Sequence, residues 1–386
     1  LTDGVVLAHD YATQRGGAER VALLLAAAFP SSPLLTTLYE PATTFPEFAD
    51  VDVRPAGLNR VGPLRRHHRA ALPFLARAVD SVRVEADVLL ASSTGWAHGF
   101  RGARRTVVYC HAPARWLYQS DRYLGARTGG GIADRARATV ARAALAGLAP
   151  RLRAWDRRAA ARADVYLANS TVTRDAVRAA YGIEAEVVPP PPCLLPAGEE
   201  TPLLGVRPGF LLCVARLLPY KNVDVVVGAA ARAGRHLVVV GDGPDRARLE
   251  SAAARLAPGR VTFTGRVADG TLRWLYRNAD LLVAASYEDY GLTPLEAGAF
   301  GTPVVALRDG GYLDTVAEGV NGVFFDHPLA DEVAAAIDVA TAAPWDAAAV
   351  RAHVDRFGAD RFVARLQTVV AEQQDVASST LEGSVA

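Results

Sequence analysis

Short apolar runs alternate along this chain with longer stretches whose apolar positions recur every three or four residues. Val5–Ala8, Leu35–Tyr39, Val51–Val53, Val88–Ala91, Thr106–Cys110 and Val165–Ala168 predict strands in the first half. Pro189–Pro192 then predicts a stiff, extended bridge. After it the alternation starts again, with strands at Phe210–Val214, His236–Val240, Val261–Phe263, Leu281–Ala285 and Pro303–Ala306. The intervening pattern is helical. Val21, Leu24, Leu25 and Ala28 line one face, and further helices are expected at Asn222–Ala233, after Pro244 and at Thr293–Phe300. Gly125–Gly131 reads as a loop, and Ile132–Ala163 as a helical region interrupted near Pro150. Asn169-Ser170-Thr171 can cap the helix that follows. Trp345–Val370 reads as two helices, and Ala377–Ala386 as a disordered tail. Strands alternating with helices argue for parallel sheets. The expected fold class is α/β with two doubly wound domains, residues 1–190 and 191–365, followed by a helix end and flexible tail at 366–386.

Composition narrows the classes. A length of 386 residues suits two domains, and 51% hydrophobic residues can fill both cores. The net charge of +1 carries no field that would attract nucleic acid. Cys110, Cys193 and Cys213 form no close pair, which fits a reducing compartment better than a disulfide framework or a zinc site. No apolar run approaches the roughly 20 residues that span a bilayer, and Val5–Ala8 is too short for a signal peptide. The expected location is the cytoplasm, with peripheral contact at the inner membrane face. That contact is expected at residues 60–75, where Arg60, Arg65, Arg66, His67, His68 and Arg69 adjoin Leu72, Phe74 and Leu75. A solvated helix end is the plainer reading of the same segment.

The richest chemistry lies at 281–311. There a buried strand leads through a polar loop into a helix with Pro294 in its first turn, then into a second strand and Gly310-Gly311. Glu288 falls in the loop and Glu296 on the helix. Gly291, Leu292 and Thr293 fall where a helix leaves its N–H groups without intrahelical acceptors, a place that attracts anions. Carboxylates that accept from sugar hydroxyls, beside amides that hold phosphates, suit a sugar diphosphate. Among 42 basic residues Lys221 is the only lysine, so a compact ammonium is singled out there. With Arg216 it places two cations before a helix start, a position the helix dipole disfavours unless an anion binds. His111 ends a predicted strand, where open α/β sheets bind ligands; His9 ends another. Gly16-Gly17 lies at a strand-to-helix turn, which can mean a close phosphate or merely a tight turn. Asp50 and Asp52 fit a half-buried strand better than a metal site.

Taken together, Gly16–Arg20 (GGAER), His111–Arg115 (His-x-Pro-x-Arg), Ala215–Asn222 (ARLLPYKN), Gly241–Pro244 (GDGP), Thr264–Val267 (TGRV) and the Glu288-x7-Glu296 stretch resemble, in this order, a retaining glycosyltransferase of the large family 4 with the two-Rossmann GT-B fold. The resemblance implies that Gly16 and Gly17 reach the donor diphosphate, that Arg216 and Lys221 bind its phosphates, and that the Val267 backbone seats the base. It places Glu296 on the ribose and Glu288 by the donor sugar, with the amides of Gly291 and Leu292. His111 would hydrogen-bond the sugar. Gly241, Arg266, Tyr290 and Thr293 complete the expected donor site. One departure is Gly298, where the family carries a bulky apolar residue; glycine in a helix costs about 1 kcal/mol against alanine.

The resemblance also implies a mechanism. Positive charge grows on the sugar and negative charge on the diphosphate as their bond breaks, and fixed cations and amides favour that state. No metal or other cofactor is expected, since the two cations take a metal's place. The His-x-Pro-x-Arg segment and Trp155-Asp156 are similar to mannosyltransferases of polysaccharide or glycolipid assembly. GDP-mannose is therefore the favoured donor and a UDP-sugar the alternative, with a glycan or lipid-linked acceptor. A nucleotide-sugar epimerase and a non-catalytic sugar-nucleotide binder are the rivals. A two-carboxylate hydrolase is less favoured. A dehydrogenase is disfavoured because the first turn lacks a full G-x-G-x-x-G.

Overall fold

The computed structural model describes residues 4–119 and 147–385. Gly125–Gly131 and the first part of the Ile132–Ala163 region lie outside them. Among the described residues, 4–119, 147–190 and 359–385 make one compact unit, and 191–358 make a second.

The first unit carries a seven-stranded parallel sheet. Its strands are β1 (Val5–His9), β2 (Leu34–Thr36), β3 (Val53–Pro55), β4 (Val88–Ser93), β5 (Arg105–Cys110), β6 (Val165–Ala168) and β7 (Glu186–Val187), in the spatial order β3-β2-β1-β4-β5-β6-β7. The second unit carries six parallel strands: β8 (Phe210–Val214), β9 (Leu237–Val240), β10 (Val261–Gly265), β11 (Ala279–Ala284), β12 (Val304–Leu307) and β13 (Gly322–Phe325), ordered β10-β9-β8-β11-β12-β13. In each sheet the chain winds outward in one direction and then returns to the centre to wind the other way. The reversal lies at β1/β4 in the first sheet and β8/β11 in the second. Connections there leave on opposite faces, so a crevice opens beyond the carboxyl ends of these strands.

Unbroken apolar runs explain why the central strands are sealed on both faces. Every residue of β4, β9 and β12 is buried, as expected for parallel strands covered by helices on both sides. Capping works locally as read: the Ser170 hydroxyl accepts from the Thr173 N–H at 3.0 Å, and Gly182 ends that helix at φ 71°.

Several expectations are corrected. Val51–Val53 is displaced to Val53–Pro55, because Pro46–Asp50 closes a 3-10 helix; Asp52 pairs instead with Arg54 at 2.7 Å. Strands β7 and β13 were not anticipated. Glycine opens β13, and β7 is only two residues long. Residues 147–160 are helical straight through Pro150. Residues 359–365 join the first unit, and the tail is a helix, Ala359–Val385, not a disordered segment. Phe362, Leu366, Val369 and Val370 recur on one face and are buried against the first sheet, and Ala377 further along is buried as well. Each of the four larger side chains contributes on the order of 2 kcal/mol. Arg365 grips Glu186 of β7 with two N–H groups, both at 2.7 Å. Among the described residues, no single helix is long and apolar enough to cross a membrane.

Candidate functional site

In the second unit two loops meet beyond the β8/β11 reversal. The loop after β8 turns through a short 3-10 helix, Pro219–Lys221, and Asn222 then enters the left-handed region at φ 54° to start helix Val223–Arg232. Asparagine tolerates that conformation through its short polar side chain. Here the Asn222 amide donates to the Ala285 carbonyl at 2.9 Å, tying the β8 loop to the β11 loop. The tie places Lys221 against Glu288: the ammonium donates to Oε1, which also accepts from the Ser286 hydroxyl at 2.8 Å. The Lys221 side chain is 10% exposed and that of Glu288 25%. The ion pair is therefore mostly, but not wholly, withdrawn from water. Arg216 reaches the Tyr220 hydroxyl at 3.4 Å, and the Lys221 ammonium lies 5.2 Å from the centre of the Tyr220 ring. Burial pushes the Cys213 thiol beneath them up to about 12, against the pull of Lys221, so it stays protonated.

Beyond Glu288 the chain turns through Gly291 at φ 95° into helix Leu292–Ala299. A Cβ on Gly291 would lie 2.6 Å from the Tyr312 ring. Only glycine suits this corner, and it is the corner that leaves the first helical amides without intrahelical acceptors. Gly310 and Gly311 let the loop after β12 lie directly on this turn. A Cβ on Gly311 would come within 2.3 Å of the Tyr290 backbone, and the Gly311 N–H donates to the Glu288 carbonyl at 2.8 Å. Glu296 accepts from the buried Tyr276 hydroxyl at 2.8 Å, which orients it on the helix. Tyr290 is 5% exposed and belongs to the hydrophobic core, so only its backbone is placed to meet a ligand.

Gly298 has a packing reason. A Cβ there would meet Val354 at 2.6 Å, so the glycine lets helix Ala347–Val354 press close. Gly241, at φ 123°, would put a Cβ 2.0 Å from the Ala215 carbonyl oxygen; it shapes the loop that carries Arg216. Arg266 is exposed and Val267 half-buried, immediately after β10.

The first unit presents a different surface at its β1/β4 reversal. His9 ends β1, Ser92 lies in β4 and His111 follows β5. The Ser92 hydroxyl contacts His9 Nδ1 at 3.0 Å and His111 Nε2 at 2.8 Å. Burial pushes the His111 imidazole down to about 3, with the charges of His9 and Arg115 adding to the effect, so His111 is neutral at ordinary pH. Its carbonyl accepts from Asn169 Nδ2 and Thr173 Oγ1, each at 3.2 Å. Beside it the Asp10 carboxylate takes the N–H groups of Thr94 (2.6 Å), Trp96 (3.1 Å) and Ala97 (2.5 Å) and the Thr94 hydroxyl. Ser93 meets His98 Nδ1 at 3.0 Å, His98 Nε2 faces Asp156 at 3.1 Å, and Tyr118 donates to Asp156 at 2.8 Å. Asp10, Ser93 and His98 were missed by sequence reasoning, which had named Asp156 only through the resemblance of Trp155-Asp156 to mannosyltransferases. The one visible signal was a pair of serines closing an apolar strand.

Gly16 has extended backbone, φ −143°, which any residue adopts. The buried Glu19 carboxylate lies 2.6 Å from where a Cβ on Gly16 would stand. An acid already faces this helix start, where a phosphate was anticipated from Gly16 and Gly17.

Two doubly wound sheets and a charged turn beyond the second define a class, and comparison with known proteins specifies it. The chain has the two-domain GT-B fold, and each half of it matches a glycosyltransferase family model. Residues 15–191 match Glycosyltransferase Family 4, and residues 201–351 match Glycosyl transferases group 1. An uncharacterized glycosyltransferase of Methanocaldococcus jannaschii is 36% identical over 135 residues, 33% of this chain and 35% of that protein. D-inositol 3-phosphate glycosyltransferase of Mycolicibacterium smegmatis is 34% identical over 168 residues, 41% and 34% of the two chains. The match thus spans about a third of the length of these curated relatives. Among solved structures, Anabaena HepE in complex with UDP-glucose superposes with a TM-score of 0.69 at 20% identity, covering 95% of this chain and 99% of that one. Sucrose-phosphate synthase from Thermosynechococcus elongatus gives 0.67 at 20% identity, covering 97% and 99%. At such identities the structures speak for the fold.

Proposed function

We propose that the protein moves a hexose from a nucleoside-diphosphate sugar to a hydroxyl of a glycan or lipid-linked acceptor, with retention at the anomeric carbon. The observation that carries this reading is the convergence of Lys221, Arg216, Glu288 and the start of helix Leu292–Ala299 beyond the β8/β11 reversal. A diphosphate seated there would draw Lys221 away from Glu288 and lie on the amides of Gly291, Leu292 and Thr293. Glu288, released, accepts from a sugar hydroxyl; Glu296, oriented by Tyr276, accepts from the ribose. Val267 and Arg266 flank the base, and Gly241 holds the phosphate-binding loop in shape. As the bond from the anomeric carbon to phosphate oxygen breaks, the electron pair stays on the diphosphate, where the two cations and the amides receive it. The acceptor oxygen bonds to that carbon on the same face, and its proton passes to the departing phosphate. Arg216 and Lys221 serve in place of a metal ion.

Two donors compete. The sequence resemblance favours mannose from GDP-mannose, whereas HepE was solved with UDP-glucose. Thermal stabilisation by GDP, UDP, ADP and dTDP at matched concentrations decides between them. A ligand at 100 times its dissociation constant adds about 2.7 kcal/mol. A GDP preference supports mannosyl transfer, and a UDP preference keeps the reaction and replaces the donor. No response to any of the four would sink the sugar-nucleotide reading. The proposal includes peripheral membrane contact through residues 60–75. There Val61 (44% exposed) and Phe74 (51%) stand out near exposed Arg60 and Arg66, while Arg65 is engaged by Glu40 at 2.8 Å.

A further inference from the structure

Three polar side chains from three adjacent strands meet in a line in the first unit: His9, Ser92 and His111. Their proton positions follow from what each atom can do. The Ser92 carbonyl oxygen can only accept, and His9 Nδ1 lies 3.3 Å from it, so His9 Nδ1 carries a proton. The same N–H reaches Ser92 Oγ at 3.0 Å, which makes the hydroxyl an acceptor toward His9. The single hydroxyl proton is then left for His111 Nε2, 2.8 Å away. If both imidazoles donated to Ser92 instead, the hydroxyl proton would have no acceptor among the described residues. Ser92 is fully buried, and an unsatisfied donor there costs about 1–3 kcal/mol. An imidazole whose Nε2 accepts, while neutral, holds its proton on Nδ1.

We propose that His9 and Ser92 are positioning residues that lock the tautomer of His111, so that His111 offers a ligand a fixed Nδ1–H donor. Among the described residues no acceptor is bonded to Nδ1. The donor therefore suits an electron-rich oxygen of an uncharged ligand. On the reading proposed above, that oxygen belongs to the sugar. The ring orientation is also held: Tyr109 lies edge-on to it at 5.2 Å, and the His111 backbone is pinned by Asn169 and Thr173.

The test is nuclear magnetic resonance of the full chain labelled with 15N-histidine, reading which ring nitrogen of His111 bears the proton. The His111 signals are those absent from His111→Asn. The wild type is expected to show Nδ1–H. His9→Leu and Ser92→Ala are expected to shift His111 toward the Nε2–H form. His9→Asn, whose amide nitrogen can stand where Nδ1 stood, restores Nδ1–H. Ser92→Ala removes one oxygen only and supplies the comparison should His9→Leu not fold. A wild-type Nε2–H tautomer, or Nδ1–H retained in both disrupting variants, would overturn the lock. The outcome is separable from the proposed activity. A locked tautomer in a protein that binds no sugar nucleotide leaves the lock standing and removes its sugar. An Nε2–H tautomer in an active transferase removes the lock alone.

Discussion

The two strand-reversal sites of this molecule are built on opposite principles. At β1/β4 the groups are buried and joined in hydrogen bonds, and the His111 imidazole is neutral. At β8/β11 the central feature is an ion pair whose two members remain partly open to water. A prebonded lattice around a neutral imidazole offers one donor in one place. On the proposed reading this mostly buried ion pair is a self-neutralised anion site, where an incoming diphosphate would exchange one anionic partner of Lys221 for another. The first arrangement suits an uncharged sugar and the second a phosphate.

Variants can break this contrast at either end. The largest effect is expected from Lys221→Ala, which removes a preorganised charge and lowers turnover by at least about 100-fold. Steady-state transfer assays on the folded variant check it, and near wild-type turnover would take Lys221 out of the mechanism. Next comes the buried lattice. Asp156→Ala strips a carboxylate from His98 and Tyr118 and is expected to destabilise the protein by about 3 kcal/mol. Asp156→Asn keeps the hydrogen-bonding shape and should cost less. Denaturant midpoints for the pair test this, and equal losses would argue that packing rather than hydrogen bonding is at work. Glu288→Gln leaves Lys221 without its internal anion. Nucleoside diphosphate binding is expected to tighten about tenfold, the equivalent of roughly 1.4 kcal/mol, while transfer falls.

A separate effect is in the response to pH. His111 titrates near 6.5 when unfolded and at about 3 when folded, so the folded state binds the proton less readily. Its contribution to stability is whole above 6.5 and is lost as pH falls toward 3. Comparing unfolding at pH 7 and pH 4, the wild type should lose more stability than His111→Asn. Equal losses would show that His111 is not held neutral.

What was legible in the sequence follows from range. Apolar runs need no partner to be read, so the central strands of both sheets were visible. Arg216, Lys221 and Glu288 were visible because charge at the end of a buried strand is conspicuous. Asp10 was invisible because its partners, Thr94 to Ala97, lie more than 80 residues away, and nothing local marks a carboxylate that will collect their amides. Ser92 and His98 looked like ordinary strand-end and turn residues. Helix Ala359–Val385 could be read as a helix as far as Val370 from its periodic face, whereas its Ser- and Thr-rich end was read as a disordered tail. The helix's home on the first sheet could not be read, because the same apolar stripe would serve either sheet. Gly16-Gly17 was conspicuous in the sequence, whereas the buried acid three residues on, which lies against Gly16, was not.

The most direct test of the central claim is a calorimetric titration of UDP and GDP into the wild type, Lys221→Ala and Glu288→Gln. One nucleotide is expected to bind the wild type, more weakly without Lys221 and more tightly without the Glu288 charge. Failure of both nucleotides to bind, or an affinity that neither substitution moves, would contradict the claim that this ion pair is the diphosphate site.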